Sequence, residues 1–497
     1  MAVGFSSYHI ARSGLTVSER GLFVTGQNIS NVDTTGYVRQ QAIIESGAYI
    51  TEYGKDKMFQ YGLGADIQET RQIRHTFLDN IYRRENTSLG YWETRGKAFQ
   101  DVEAILNDPM GDGLQDVMNQ FWDSWQELSK SPESLTTRAL VRQRGQAFTY
   151  YVNHIGSQMD KLQSDLNSEI QVRVDEVNGI TEGIAQINKQ IASQEINGDS
   201  ANDYRDKRNV LLDRLSKICD AQPIEMQDGQ IDVTLGGYYL VQKGTSRNLY
   251  VEANAKNGEF FYPMLEDTNI EINIKSGILK GLLESRGEVS GVKDTTIPSG
   301  NIPTSKNIVS DFKIRLNDMV NKMVEEVNSL QIKGKALDGQ PGVAFFDLID
   351  TRYPMVMGNL RLSDSLLSDK GLNNITASES TAKGDNSIAK EIANLRNFRD
   401  PNFLQNTTGA VNIDEYYRAI ILDIGNGGFE ANTVAENQSK LVQSVEGQRS
   451  AISGVSMDEE MSNMMKFKFA YDGSAKVLNI IDSMMQTIIL SMGQVGR

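Results

Sequence analysis

The chain has 497 residues, of which 39% are hydrophobic and 23% charged, and its formal net charge is −15 at pH 7. The length exceeds that of one compact domain, and the composition predicts a folded, soluble chain rather than a disordered one. Nucleic-acid binding and docking on anionic membranes both need basic patches, so the acidic balance disfavours both. No apolar run reaches membrane-spanning length, since the best, residues 477–490, is short and contains Asp482.

The N-terminal segment predicts a helix with an apolar stripe on one side. It has neither a basic nor a long apolar leader region, so we expect no cleavable signal peptide. The stripe members recur at alternating steps of three and four residues, which is the seam pattern of a coiled coil. They are Tyr8, Ala11, Leu15, Ser18, Leu22, Thr25 and Ile29. A cluster of Asn, Asp, Thr and Gly at residues 30–36 then ends the helix.

Residues 77–219 follow a mostly helical pattern. Turn-forming clusters predict breaks at residues 107–111, 131–132 and 197–199. Trp122 and Trp125 lie three residues apart on one predicted helix, which favours core packing over ligand stacking. Cys219 is the single cysteine, so no intrachain disulfide can form, and we expect a small buried side chain rather than a nucleophile.

The next region changes character and predicts a small β unit. Two alternating runs flank Asp228-Gly229, a typical β-hairpin signal, and the β unit extends to about Ile274. Residues 290–307 predict an exposed loop. Helix returns over residues 308–332, then again over 386–398 and 413–423, and resumes after Asn426-Gly427-Gly428.

The C-terminal segment repeats the stripe of the N-terminal segment. Its members are Met464, Phe467, Tyr471, Ser474, Leu478, Ile481, Met485 and Ile488. Before this helix, Ser456 and Glu459 fit a capping box. We expect the two terminal helices to pair with each other or with other copies of the chain. The alternative is that both are ordinary amphipathic surface helices, because short heptad matches are common.

The predicted fold is mainly α with a small β part: a discontinuous long helical bundle whose terminal helices pair as a coiled coil. The predicted segments are an N-terminal coiled-coil helix (1–36), a helical bundle domain with an entry β-hairpin (37–221), a small inserted β subdomain with a loop (222–307), a returning bundle helix (308–335), a reduced outer insertion (336–385), further bundle helices (386–452) and the C-terminal coiled-coil helix (453–497).

Short strings at both ends of the chain resemble the terminal signatures of the flagellar axial proteins, which are the rod, hook and hook-associated proteins. They are most similar to the strings of the hook-associated members. The signature residues are Asn28, Asn31, Gly36, Tyr37, Arg39, Gln40, Ser453, Gly454, Val455, Asp458, Glu459 and Glu460. Inside the chain, residues 206–209 resemble the family's Asp-x-Arg-Asp element, from which Asn209 departs. Near the C-terminus, Met461, Phe467 and Lys468 also depart from the expected Ala, Tyr and Gln.

The resemblance implies a structural protein of the bacterial flagellum, exported uncleaved by the flagellar type III apparatus and extracellular at the hook–filament junction. Its implied partners are further copies in a ring or helical array, the hook protein, a second hook-associated protein on the filament side and an export chaperone on the C-terminal helix. On this basis we assign an assembly interface to both stripes, at Tyr8, Leu15, Leu22, Ile29, Met464, Phe467, Tyr471, Leu478, Ile481, Met485 and Ile488.

Other function classes fit the sequence less well. Another rod or hook protein is the nearest alternative, and a helical surface adhesin or toxin would leave the two matching ends unexplained. An enzyme comes last, because His9, His75 and His154 lie far apart and no local metal or phosphate-binding motif accompanies them. We therefore expect no catalytic residues, no metal and no cofactor.

Overall fold

The computed structural model describes residues 2–53, 58–106, 113–196, 198, 200–254, 260–287, 307–380, 382, 384–399 and 411–492, with the backbone alone for residues 2–5, 52, 53, 254, 491 and 492. The break predicted at 107–111, residues 197 and 199 of the break predicted at 197–199, and residues 290–306 of the predicted loop lie outside these ranges.

Helices dominate the described residues, and the predicted fold class, mainly α with a small β part, is confirmed. The helices are α1 (Ala2–Ser30), α2 (Thr76–Leu106), α3 (Leu114–Lys130), α4 (Leu135–Glu195), α5 (Asn202–Ile218), α6 (Ile278–Arg286), α7 (Val309–Lys333), α8 (Asp364–Leu367), α9 (Ser387–Asn394), α10 (Ile413–Ser453) and α11 (Met457–Met492). A short 3-10 turn, Leu395–Asn397, follows α9.

The strands pair in antiparallel fashion within several small sheets. They are β1 (Gln40–Ser46), β2 (Tyr49–Tyr53), β3 (Met58–Gly62), β4 (Ala65–Gln72), β5 (Gln222–Glu225), β6 (Ile231–Leu235), β7 (Tyr238–Gln242), β8 (Thr245–Ser246), β9 (Leu249–Asn254), β10 (Phe260–Leu265), β11 (Ile270–Glu271), β12 (Phe346–Leu348) and β13 (Leu360–Leu362). The hairpin predicted around Asp228-Gly229 is confirmed, since β5 pairs with β6 and Gly229 has φ 76°.

The chain forms two compact units, each built from separate stretches of sequence. The first unit comprises residues 1–86, 177–248 and 439–497, and the second comprises residues 87–176 and 249–438. Helices α2, α4 and α10 contribute residues to both. The segment 37–221, predicted as one helical domain, is therefore divided between the units, and the predicted domain boundaries stay a prediction.

The single β subdomain expected over residues 222–307 is in the structure two separate sheets, β5–β8 in the first unit and β9–β11 in the second. Each sheet is held by its own amide side chain from α4. The Asn188 Nδ2 donates to the carbonyls of Ile231 (2.8 Å) and Lys243 (2.6 Å), whereas the Asn167 Oδ1 accepts from the Phe261 N–H (2.8 Å). Strand periodicity does not reveal which sheet a strand joins, so the sequence could not separate them.

An aromatic cluster forms part of the core of the second unit. Trp122 and Trp125 are 2% and 0% exposed, which confirms their predicted core position. The ring centre of Phe121 lies 5.7 Å from that of Phe148 and 5.9 Å from that of Phe345. Aromatic rings bury large apolar areas and gain a further contribution from such contacts, so this cluster stabilises the unit without any outside partner.

Helix α10 runs through the sequence that predicted a break. Asn426-Gly427-Gly428 lies inside the continuous helix Ile413–Ser453, so the predicted interruption is wrong. A Cβ on Gly427 would lie 2.5 Å from Cζ of Phe99. The glycine is needed for close packing against an aromatic ring, and the helix tolerates its lower propensity because tertiary packing compensates.

Buried polar contacts organise the first unit. Arg449 on α10 forms ion pairs with Asp79 on α2 (3.0 Å) and Asp213 on α5 (2.9 Å), and its guanidinium lies over the ring of Tyr82 at 4.5 Å. Cys219 follows α5 and is fully buried, and burial raises the pKa of its thiol to about 12. As predicted, this cysteine is a small core side chain, since a thiol with that pKa is not a nucleophile at neutral pH.

Candidate assembly interface

The two terminal helices, α1 and α11, pack against each other as an antiparallel pair, here called the terminal pair. Three pairs of facing residues define the register, and in each pair the two residue numbers total 488. The facing pairs are Gly14 with Ser474, Gly21 with Phe467 and Asn28 with Glu460. Each step is seven residues in both helices, which is the heptad repeat of a coiled coil. The predicted pairing of the two ends with each other is confirmed.

Small residues allow the close approach of the two helices. A Cβ on Gly14 would lie 2.5 Å from Oγ of Ser474, and a Cβ on Gly21 would lie 2.5 Å from two ring carbons of Phe467. Real Cβ atoms do not approach neighbours so closely, so a larger side chain would push the helices apart or force the ring to move.

The stripe predicted on α1 is partly correct. Ala11, Ser18 and Thr25 are buried as expected. The contact with α11 runs through Gly14, Gly21 and Asn28, one residue before the predicted Leu15, Leu22 and Ile29, which are half-buried, while Tyr8 is exposed. Pattern analysis scores large apolar residues, whereas the helices meet where side chains are smallest.

The stripe predicted on α11 divides into two parts. Four residues, Met464, Phe467, Leu478 and Ile481, are half-buried. Tyr471, Met485 and Ile488 are exposed. The register explains the last of these, because residue 486 would lie opposite residue 2 and Ile488 therefore extends past α1.

A buried polar node, made of Asn28, Tyr37, Arg39, Gln40 and Glu460, lies at the other end of the terminal pair. The Asn28 Nδ2 donates to Oε2 of Glu460 (3.1 Å) and to the carbonyl of Gln40 (2.9 Å). Its Oδ1 accepts from the Tyr37 hydroxyl (2.8 Å) and from the Gln40 N–H (3.0 Å). One side chain thus ties α1, the following extended segment and α11 together, with every polar atom of the amide paired.

Arg39 connects the N-terminal signature to the C-terminal signature. Its Nε donates to Oε1 of Glu460 (2.7 Å), its Nη1 donates to Oε2 of Glu459 (2.7 Å), and its backbone N–H donates to the carbonyl of Ser453 (2.9 Å). Among the described hydrogen bonds, the carboxylate of Glu459 therefore accepts from Arg39 and does not form the capping box predicted with Ser456. A charged partner offers a stronger hydrogen bond than an exposed helix-end N–H.

The remaining signature residues shape the turns around the node. Asn31 donates to the carbonyl of Gln27 (3.0 Å), Gly36 has φ 80°, and the Gly454 N–H donates to the carbonyl of Ser450 (2.8 Å). Val455 is half-buried and Asp458 is exposed. The two signatures, which lie more than 400 residues apart in sequence, are thus brought together mainly through Arg39 and Glu460.

Electrostatic strain accompanies the burial of this region. Asp206 on α5 accepts from the Val38 N–H (3.1 Å) and from the Gln72 amide (2.8 Å), yet burial raises the pKa of its carboxyl to about 7. Burial also raises the pKa of the Tyr37 phenol. Both pKa shifts favour the neutral carboxyl and the neutral phenol, because burial disfavours the charged forms of these groups.

The side of α11 that faces away from α1 is also apolar. Met465 and Phe469 are each two residues from Phe467, so they lie about 200° around the helix from the α1 contact. The exposed fraction of Phe469 is 70%. We call the outer face of α11 the exposed set Met461, Met465, Phe469 and Ile480. The sequence prediction included none of these residues.

Two two-stranded sheets follow the node, and the outer one carries a second apolar surface. Strands β1 and β4 form the base sheet, which contacts α1 through a hydrogen bond from the Ala65 N–H to Oγ of Ser13 (3.2 Å). Strands β2 and β3 form the outer ribbon. Ile50, Phe59 and Tyr61 lie on one of its faces, because Ile50 pairs with Tyr61 and Phe59 lies two residues before Tyr61.

All three of these ribbon side chains are exposed, as are Tyr49 and Met58. The sequence predicts an entry hairpin here but no interface on it. The alternation of aromatic residues with polar ones over residues 58–61 is the signal that could have identified this surface.

The described residues contain no group of His, Cys, Asp or Glu side chains that could hold a metal ion. His9, His75 and His154 are each exposed. None of the described helices combines the length and apolar character that crossing a bilayer requires.

Comparison with known proteins identifies relatives along the whole chain. Residues 99–346 match the model of the flagellar hook-associated protein FlgK helical domain, and residues 446–492 match that of the flagellar basal body rod FlgEFG protein C-terminal region. Flagellar hook-associated protein 1 of Bacillus subtilis is 28% identical over 531 residues, covering 100% of both chains. The protein of the same name from Escherichia coli is 22% identical, covering 96% of this chain and 98% of that one.

A solved structure also shares the fold. The flagellar hook junction protein FlgK from Burkholderia pseudomallei superposes with a TM-score of 0.62 at 12% identity, covering 75% of this chain and 100% of that one.

Proposed function

This chain belongs to the flagellar hook-associated protein 1 family and is a structural component of the hook–filament junction, and we propose that it assembles there through its terminal pair and outer ribbon. The observation that carries this proposal is the outer face of α11. The terminal pair buries one side of that helix and leaves a second apolar side uncovered. Exposed apolar stripes of this kind mark protein–protein contacts.

The occupant we propose for the outer face is a second copy of the chain. Copies arranged as a ring or helical array around one axis would cover each other's outer faces. The terminal pair holds α11 in a fixed heptad register, so the apolar side chains on its outer face keep constant spacing. Met464, Phe467, Leu478 and Ile481, which the sequence predicts as interface residues, then contribute to assembly indirectly, because they hold α11 against α1.

The outer ribbon supports the same proposal. An isolated two-stranded hairpin is marginal in water, and this one exposes Ile50, Phe59 and Tyr61 on a single face. Contact with an adjacent subunit would bury these rings. We propose that the ribbon contacts the next copy near its own terminal pair.

The further partners follow from the family and remain proposals. They are the hook protein on one side, a second hook-associated protein on the filament side and an export chaperone. The physical case for a chaperone is that an uncovered outer face of α11 would promote aggregation before assembly. We also propose export to the cell exterior and the absence of catalytic activity. A turnover abolished by one point substitution would refute the last statement.

The test is complementation of a strain that lacks this protein with a Phe469→Asp variant. A charge at this position cannot be buried against an apolar neighbour without a cost of several kcal/mol, so assembly should fail. Electron microscopy with immunogold labelling should find wild-type protein at the hook–filament boundary. The variant should give hooks without filaments and filament protein released into the medium.

Tyr150→Asp is the matched control. Tyr150 lies on α4 with an exposed fraction of 76%, and the proposed interface does not include it. Its variant should assemble normally. Normal filaments with Phe469→Asp, at wild-type expression and helix content, would contradict the proposal.

A further inference from the structure

A cavity of about 520 Å³ in the first unit is lined by five arginines and has no role in the proposed assembly. Arg71 comes from β4, Arg83 from α2, and Arg205 and Arg208 from α5, while Arg74 lies between β4 and α2. These five guanidinium groups surround one cavity in a chain whose formal net charge is −15.

Arg208 is the most informative of these residues because it is 1% exposed. Its Nη1 donates to Oδ1 of Asn188 (2.9 Å) and to the carbonyl of Gly229 (2.8 Å), which are both neutral acceptors. Its Nε has no acceptor, and no carboxylate of the described residues lies within ion-pair distance. Burial lowers its pKa to about 10, so the side chain remains charged at neutral pH. Glu225 and Glu195 act on this charge from beyond ion-pair distance, and Arg205 and Arg74 oppose them. A buried charge that no carboxylate contacts directly is costly.

Three of the other arginines already have carboxylate partners. Arg205 pairs with Glu195 (2.8 Å) and with Glu225 (3.2 Å), and Arg83 pairs with Asp213 (2.7 Å). Of these three carboxylates, Glu225 lines the cavity and the other two do not.

Arg74 pairs through Nε with Asp79 (2.6 Å), whereas its buried Nη1 has no hydrogen-bond acceptor and lies 3.7 Å from Asp206. Because burial raises the pKa of Asp206 to about 7, that carboxylate is partly protonated near neutral pH. The lining thus holds five guanidinium groups and three carboxylates, which are Glu69, Asp79 and Glu225.

We propose that this cavity binds one inorganic oxyanion, phosphate or sulfate, with Arg208 at its base and Arg71 at its exposed rim. The planar guanidinium fork matches the geometry of an oxyanion, and charge-assisted hydrogen bonds are about twice as strong as neutral ones. A bound oxyanion supplies the directly contacting counter-charge that Arg208 lacks. It also connects β4 to α5, which stabilises the folded first unit by mass action.

The test is equilibrium dialysis of the full-length monomer against radiolabelled inorganic phosphate, at constant ionic strength maintained with sodium chloride. We expect one saturable site per chain, from which sulfate displaces phosphate and additional chloride does not. Arg71→Gln should weaken phosphate binding roughly tenfold, because one charge-assisted contact is lost. Arg84→Gln is the matched control, since the Arg84 side chain is exposed and does not line the cavity.

Arg208→Met should abolish phosphate binding while circular dichroism remains that of the wild type. If Arg208→Met does not fold, Arg71→Gln against Arg84→Gln decides the question. The proposal is overturned if the wild type shows no saturable phosphate binding, if it shows several weak equivalent sites, or if the two glutamine variants bind alike. It does not depend on the assembly proposal, because the monomer is the species measured.

Discussion

The aromatic cluster of the second unit and the terminal pair of the first are two different solutions to packing. The cluster fills its interior with large rings, and Phe121, Trp125 and Phe148 are fully buried. The terminal pair meets through glycines and a polar node, and it leaves large apolar side chains such as Phe469 uncovered. The aromatic cluster buries its own apolar side chains, whereas the terminal pair leaves apolar side chains exposed for contact with another molecule.

This difference separates folding from assembly within one chain. A dense aromatic core contributes large stability that needs no partner. A helix pair with small contact residues contributes less, but its register is fixed by steric fit and by the Asn28–Glu460 hydrogen bond. Buried polar contacts are known to specify register at some cost in stability.

The largest effect is expected from Trp125→Ala in the aromatic cluster. Removing a fully buried indole should lower the free energy of unfolding by about 3–5 kcal/mol, because the cavity left behind cannot be refilled. Urea unfolding followed by tryptophan fluorescence and circular dichroism measures this. Tyr150→Ala, at an exposed site, should change it by no more than about 0.5 kcal/mol. A loss below about 1 kcal/mol for Trp125→Ala would show that the cluster is not a main source of stability.

A smaller and more local effect is expected from Gly21→Val in the terminal pair. The added side chain would collide with Phe467, at a cost of about 1–3 kcal/mol to pairing of the two helices. Gly26→Val is the matched control on the same helix, because no neighbouring atom lies within 4 Å of its Cβ position. Limited proteolysis of α11 should accelerate in the first variant alone. Equal acceleration in both would indicate a helix-propensity effect rather than a lost contact.

The smallest effect concerns pH and Asp206. Its pKa in the folded chain is raised to about 7 from an ordinary value of 3.8, so the folded state binds the proton more tightly than the unfolded state. The stabilisation from this group is complete below pH 3.8 and is lost as the pH rises towards and through 7.

Asp206→Asn should therefore reduce the difference in urea midpoint between pH 5.5 and pH 8 relative to the wild type. An unchanged difference would show that the carboxyl ionises normally in the folded chain.

Sequence patterns predicted helices, the β5–β6 hairpin and the core tryptophans, because each depends on local periodicity or turn chemistry. The pairing of the terminal helices was also predictable, since both ends share a heptad pattern. Their facing residues were predicted one position away on α1. Gly14, Gly21 and Asn28 recur every seven residues. A search for large hydrophobic side chains does not detect this repeat, because glycine has no side chain.

The polar node and the arginine-lined cavity could not be predicted from pattern. Arg39 and Glu460 are separated by 421 residues, and proximity across such a distance depends on the whole topology. The family signatures marked these residues without indicating that they contact each other. Similarly, Arg208 appeared in sequence as part of an Asp-x-Arg-Asn element, and only the fold shows that the guanidinium is buried without a carboxylate partner.

We infer that the second unit is stable by itself, while α11 depends on assembly for its protection. Hydrogen–deuterium exchange of the full-length chain, measured first as monomer and then in isolated hook–filament junctions, tests it most directly. We predict that amides of α3 and α7 are protected in both states, whereas those of α11 exchange faster than those of α3 in the monomer and gain protection in the junction. Equal protection of α11 and α3 in the monomer, or no gain for α11 in the junction, would contradict the claim.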